Sequence, residues 1–245
     1  MLDPLSIFWI GLAVFMLGLS KGGFGGAGTP VALPIMSLGL SPELALGAML
    51  PILMVMDVIS VGAHRKDLHK PTIKFALLGA VSGVLVGAFL VAYVSSKLIG
   101  GAVGVLAILF AIQSMAKLQP KTKNLPDWVG GLLGALSGLT STLAHAGGPP
   151  IHAYLVSRAF EPKVFVATAA TFMACVNLLK VGPYLAIGAL NWEALKIALF
   201  ALPLVVIATL IGVRVARLIS KSLFLVVVNL ALLAVGAKLI FDALT

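Results

Sequence analysis

Six stretches of this chain, 43–62, 72–94, 98–116, 163–187, 193–213 and 222–241, are long, apolar and nearly free of formal charge. Each can cross a bilayer as a helix, which takes about 20 apolar residues. Inside a hydrocarbon core no water is available to backbone groups, so segments of this kind become helices with all their N–H and C=O groups paired internally. The pattern predicts an all-α polytopic membrane protein. Composition agrees: of 245 residues, 60% are hydrophobic and 10% charged, with a mean hydropathy of +1.14. An ordinary globular chain has about a quarter of its residues charged. One integral membrane domain, 1–245, accounts for the whole length.

A net charge of +9 would point to nucleic acid in a soluble protein. Here Lys and Arg cluster between the apolar runs without interleaved aromatics, which reads as a topology signal and gives no support to nucleic-acid binding. Cys175 is the single cysteine and lies in an apolar run, so neither an intrachain disulfide nor a cysteine metal site is expected. Met1-Leu-Asp-Pro4 lacks the basic stretch of a cleaved signal peptide, so the first apolar run is expected to be retained.

Two further segments are apolar but broken. Residues 5–20 stop at Lys21-Gly-Gly-Phe-Gly-Gly-Ala-Gly28 before a short apolar piece from Pro30 to Leu40. Residues 128–144 stop at His145-Ala-Gly-Gly-Pro-Pro150 before a piece from Ile151 to Ser157. Each reads as a half-length helix, a break and a shorter half-helix. A shift of 120 matches Gly11, Leu12, Gly18 and Leu19 with Gly131, Leu132, Gly138 and Leu139. The same shift pairs Gly28 with Gly148, Pro30 with Pro150, Pro42 with Pro162 and Asp57 with Asn177. The chain therefore reads as a tandem duplication, 1–119 and 120–245.

Charge sets the orientation of the halves. With three crossings and one re-entrant hairpin per half, twelve Lys and Arg residues fall on one face and Lys97, Lys196 and Lys238 on the other. If each broken segment crossed once, the split would be nine against six. The positive-inside rule prefers the lopsided arrangement. An odd number of crossings per half makes the repeats inverted and places both chain ends in the periplasm. The expected architecture is two inverted repeats, each a re-entrant helical hairpin plus three transmembrane helices.

Irregular backbone at membrane depth is tolerated where it is buried in protein or lines a polar cavity. Gly22, Gly23, Gly25, Gly26 and Gly28 leave N–H groups approachable, and helices starting near Thr29 and Pro149 would add positive dipole ends. Lys21 adds a formal positive charge, and Gly147 and Gly148 are the second-half counterparts of the glycine loop. Together these are candidate anion-binding residues; close helix packing is the other use of such glycines. His145 can donate to an anion, carry a proton, or be a satisfied buried imidazole. His152 reads as a buried packing residue, and His64 and His69 as solvated loop residues. Asp57 lies inside a span, where a carboxylate is expensive unless paired or facing water. It is a candidate proton-coupling group, or a structural partner for Lys21 or Lys180. Asn177, its neutral counterpart, is a candidate substrate contact, and Lys180 either attracts substrate or snorkels.

Gly22-Gly-Phe-Gly-Gly-Ala-Gly-Thr-Pro30 and Ala146-Gly-Gly-Pro-Pro150 resemble the paired glycine signatures of the sulfite exporter TauE/SafE family. The spacing to Pro42 and Pro162 is similar too, so the resemblance covers nearly the whole chain. It implies an inner-membrane permease for sulfur-containing anions such as sulfite, thiosulfate or organosulfonates, often in the export direction. It also implies inverted repeats that hold substrate between two glycine hairpins. The motif carries over Gly22 to Pro30 and His145 to Pro150, with Ala27 departing from an unbroken glycine run.

The leading expectation is a secondary transporter with alternating access and no cofactor. No Gly-x-x-x-x-Gly-Lys-Ser/Thr loop occurs, so ATP hydrolysis by this chain is not expected. An anion channel and an intramembrane haem or metal enzyme are the alternatives. The sequence leaves substrate, coupling ion, direction and oligomeric state open.

Overall fold

The computed structural model describes residues 3–23, 29–116, 124–215, 218 and 220–245. Ten α-helices follow one another among them: α1 (Pro4–Gly23), α2 (Ala32–Met36), α3 (Pro42–His64), α4 (Lys70–Tyr93), α5 (Ser96–Met115), α6 (Asp127–Ala144), α7 (Gly148–Ser157), α8 (Pro162–Ala186), α9 (Trp192–Val215) and α10 (Lys221–Leu244). The six expected spans are α3, α4, α5, α8, α9 and α10, each long and apolar enough to cross a membrane.

Local chemistry starts these helices. Pro42 and Pro162 open α3 and α8, where a fixed φ suits the first turn and no N–H is wasted. Asn191 caps α9 by accepting from Ala194 N–H at 2.9 Å, and Ser220 caps α10 by accepting from Leu223 N–H at 3.2 Å. At the head of α1, Asp3 accepts from Ser6 N–H at 3.2 Å. Hydrogen bonding to Ser6 holds the Asp3 carboxyl below its ordinary range.

The first arm departs from the half-length helix expected there. α1 has 20 residues and runs on through Lys21, Gly22 and Gly23, making it a seventh helix of spanning length. At about 1.5 Å per residue it is about 30 Å long. Tertiary packing overrides the weak helix propensity of its last glycines. A Cβ on Gly18 would sit 2.5 Å from the Ala208 methyl, so α1 is pressed against α9 close to its end. The second arm is shorter than expected: a 3-10 turn over Thr29–Val31 and the five residues of α2.

The described helices group into two compact units. One comprises Met1–Ile52, Val94–Leu118 and Asn191–Thr245. In it α1 packs along α9, α5 along α10, and α2 against α1, α5 and α10. α5 and α10 meet at Gly104 and Gly236, where a Cβ on either would lie within 2.8 Å of the other's carbonyl oxygen. Asn229 Nδ2 donates to Ser114 Oγ at 3.1 Å in the same interface. The chain after α2 comes back to the start of α1, where Ser6 Oγ donates to Gly39 O at 2.6 Å.

The other unit comprises Leu53–Tyr93 and Gln119–Leu190. There α4 packs along α6, and both contact α8. A Cβ on Gly83 would overlap Ala135 O, and one on Gly134 would overlap Ala76 O, so the two backbones touch. Small residues allow this approach, and van der Waals contact is the main attraction between helices in lipid. Ile73, Ala76, Ala80 and Val84 of α4 form a core with Ile151, Tyr154 and Leu155 of α7 and Ala169, Phe172 and Val176 of α8. Leu78, Leu85 and Phe89 of α4 remain exposed. Exposed side chains of this kind are an apolar coat suited to acyl chains.

α6 and α7 form a hairpin closed at its open end. Asn124 N–H donates to Ser157 O at 2.7 Å. Arg158 pairs with Asp127, and Tyr154 O–H donates to the same carboxylate at 3.1 Å. The segment thus ends beside its own beginning.

Candidate functional site

The break between α6 and α7 is built by hydroxyls on α6. Ser137 Oγ donates to Gly147 O at 2.5 Å, and Thr140 Oγ1 donates to Ala146 O at 3.1 Å. In a trans peptide the C=O of one residue and the N–H of the next point in opposite directions. Tying down the Ala146 and Gly147 carbonyls therefore aims the Gly147 and Gly148 N–H groups away from α6, at the start of α7. Pro149 and Pro150 follow and contribute no N–H, so those two glycines supply the first donors of the ten-residue helix. Gly147 is required by space: a Cβ there would lie 2.7 Å from Ser137 O.

His145 sits at the turn with φ 50°, in the left-handed region, and caps α6. Its N–H bonds Ser141 O at 2.9 Å, and Ala146 N–H reaches Thr140 O at 3.3 Å, satisfying the last carbonyls of the helix. For a residue with a Cβ this conformation costs about 1–2 kcal/mol. The ring is buried, with Nδ1 at 2.8 Å from Lys180 Nζ.

Lys180 is the residue around which the site is organised. Its side chain is 0% exposed, so it does not snorkel. Nζ donates to Ser141 O at 3.2 Å, to Ser141 Oγ at 3.0 Å and to His145 Nδ1. All three ammonium protons are used, each on a neutral acceptor. Among the described residues Lys180 makes no ion pair, and the negative charge of Asp57 reaches it only at longer range. With Nδ1 accepting, the imidazole proton lies on Nε2, a donor suited to an anion. Tyr184, one turn further along α8, donates to Thr142 O at 2.6 Å and stacks edge-on to His145. Two side chains of α8 therefore clamp the end of α6.

One turn before Lys180 on the same helix, Asn177 Nδ2 donates to Asp57 Oδ2 at 2.5 Å. Both residues are buried. The structure thus gives Asp57 a polar neutral partner and sets it one helical turn from the lysine.

The sequence candidates divide accordingly. His145, Gly147, Gly148, Asn177 and Asp57 come together with Lys180 in one unit. Lys21 is half-buried near the end of α1, which Gly22 and Gly23 complete. Gly25, Gly26 and Gly28 lie outside the described residues. Thr29 opens a 3-10 turn that leads into a helix of five residues, too short to gather the dipole expected there. His69, expected to be simply solvated, hydrogen-bonds Thr72 at 2.9 Å and stacks on Phe160. His152 packs against Phe165. Ser137, Thr140, Ser141, Thr142 and Tyr184 were not anticipated. Their sequence signal is the hydroxyl-rich Ser137-Gly-Leu-Thr-Ser-Thr142 run just before the break, with Lys180 and Tyr184 a helical turn apart.

Neither a curated protein nor a solved structure matches the chain. The family model described as sulfite exporter TauE/SafE matches residues 10–239. That range takes in most of both broken segments, the buried lysine, five of the expected spans whole and nearly all of the sixth, so this multi-pass membrane protein belongs to the sulfite exporter TauE/SafE family of transporters.

Proposed function

We propose that the protein is a secondary transporter that moves a small sulfur-containing anion, such as sulfite, thiosulfate or an organosulfonate, by alternating access. Its setting is an inner membrane, with both chain ends periplasmic. The observation that carries this reading is Lys180: a fully buried ammonium whose contact partners are all neutral. An unpaired buried ion costs several kcal/mol. A positive charge kept at that expense beside the Gly147 and Gly148 N–H groups and a His145 donor is arranged to be completed by an anion. Those donors suit the oxygens of a sulfur oxyanion. Lys21 is a further candidate anion-binding residue, and Asp57 is the group placed to carry a proton.

The tandem, inverted organisation, 1–119 and 120–245, is part of the same proposal. α1 with α9 in one unit and α4 with α6 in the other are counterpart pairings if α1 answers to α6 and α4 to α9. The Ser6–Gly39 contact answers to the Asn124–Ser157 closure in the same way. Counterflow in proteoliposomes tests the transport reading. Vesicles loaded with unlabelled sulfite, thiosulfate or sulfoacetate should take up the labelled anion faster than protein-free vesicles. Equal rates for all three would overturn it.

A further inference from the structure

The transport reading gives Asp57 a proton to carry but leaves its partner Asn177 without a role. Asp57 is 3% and Asn177 2% exposed, and Asn177 Oδ1 is buried without a hydrogen-bond partner. An unsatisfied amide oxygen at such depth costs about 1–3 kcal/mol, which asks for a reason. The two residues are 120 apart, which is the repeat offset, so each is the other's counterpart.

We propose that Asp57 and Asn177 form one protonation site that couples anion movement to a proton gradient, with Asn177 as its positioning residue. The proposal rests on the transporter reading and on the repeat. With Asp57 ionised, Asn177 donates Nδ2–H to it, as observed. When Asp57 takes a proton, its new O–H bond becomes a donor and needs an acceptor. A half-turn of the amide about its broad, two-fold terminal torsion brings Oδ1 into that place. Only the Asp57 O–H bond forms or breaks. One amide atom lacks a partner in either state: Oδ1 when Asp57 is ionised and Nδ2 when it is protonated. An aspartate at 177 beside Asp57 would instead put two like charges in contact, and the pair would share a single proton.

Among the charged and titratable groups near Asp57 in its unit are Lys180 and Cys175 on α8, both of which feel its charge. His145 lies behind Lys180. Protonating Asp57 removes the negative charge that partly balances Lys180, which strengthens the pull of the ammonium on an anion. By linkage the bound anion favours protonated Asp57 to the same degree. Proton and anion then travel together.

Two measurements on reconstituted protein test this. In infrared difference spectra, acidification should raise a carboxylic-acid C=O band that is absent in Asp57→Asn, displaced in Asn177→Leu, and restored in the exchange variant Asp57→Asn/Asn177→Asp. In flux assays with labelled sulfite, pH-gradient-driven accumulation should fall to the level of protein-free vesicles in Asp57→Asn. It should fall much further than counterflow does, and recover in the exchange variant. An unmoved band in Asn177→Leu, no band in the exchange variant, or undiminished accumulation in Asp57→Asn would overturn the proposal, as would accumulation driven by sodium alone. Absent counterflow in the wild-type protein would sink the transporter reading and leave the infrared result to decide on the pair.

Discussion

Lys180 Nζ stands 2.8 Å from Nδ1 of His145, and that contact holds a histidine whose backbone is left-handed, at φ 50°. Two costs, a buried ammonium and a strained turn, meet in one hydrogen bond. Strain of this sort persists where the surroundings over-determine it. Here the surroundings are Ser141 on α6 and Tyr184 on α8.

Replacing His145 separates the two costs. His145→Gly removes the Cβ penalty along with the ring, whereas His145→Ala keeps the penalty and loses the ring. The alanine variant should be the less stable of the two by about 1 kcal/mol, from the conformational preference of glycine. Thermal unfolding of both in detergent checks this, and both should bind anion more weakly than wild type.

Neighbouring glycines in the break should respond differently to one methyl group. A Cβ at Gly147 would lie 2.7 Å from Ser137 O, while at Gly148 the nearest atom is the flexible His152 ring at 3.6 Å. Gly147→Ala should disturb the break and reduce flux strongly, and Gly148→Ala should be mild. Initial counterflow rates at equal membrane abundance give the comparison.

Lys21 lies near the end of α1, just before the first glycine run. Lys21→Gln should weaken anion flux by about tenfold, the loss of one charge-assisted hydrogen bond, while membrane insertion is unchanged. Unaltered kinetics in the variant would remove Lys21 from substrate recognition.

Orientation is open to a labelling test in a Cys175→Ser background. A membrane-impermeant maleimide added to intact cells should label Thr245→Cys and spare Lys121→Cys. The reverse pattern would invert the topology read from the basic loops.

Much of this fold is legible in the sequence because bilayer thickness translates directly into helix length. The six full spans follow from hydropathy, and the break between α6 and α7 follows from Gly and Pro. The length of α1 does not, since its final turn contains Lys21, Gly22 and Gly23, residues that read locally as an ending. Close packing of α1 on α9, seen at Gly18 and Ala208, is a tertiary contact that local sequence does not reveal. Asp57 and Asn177 are matched by the 120-residue offset, but their hydrogen bond is not, since Lys21 and Lys180 read as the partners of Asp57. Lys180 could not be assigned: in an apolar run a lysine reads equally as snorkelling or buried, and which one holds depends on where Ser141 and His145 lie in space.

On the proposed reading the buried Lys180 ammonium completes its charge with a small anion. Equilibrium binding of labelled sulfite to purified protein tests it most directly, with Lys180→Met as the comparison, because methionine fills the site without charge. Saturable binding by wild type, weakened about tenfold or more in a Lys180→Met protein that unfolds at an equal or higher temperature, is the expected result. Equal affinity in the two proteins would contradict the account.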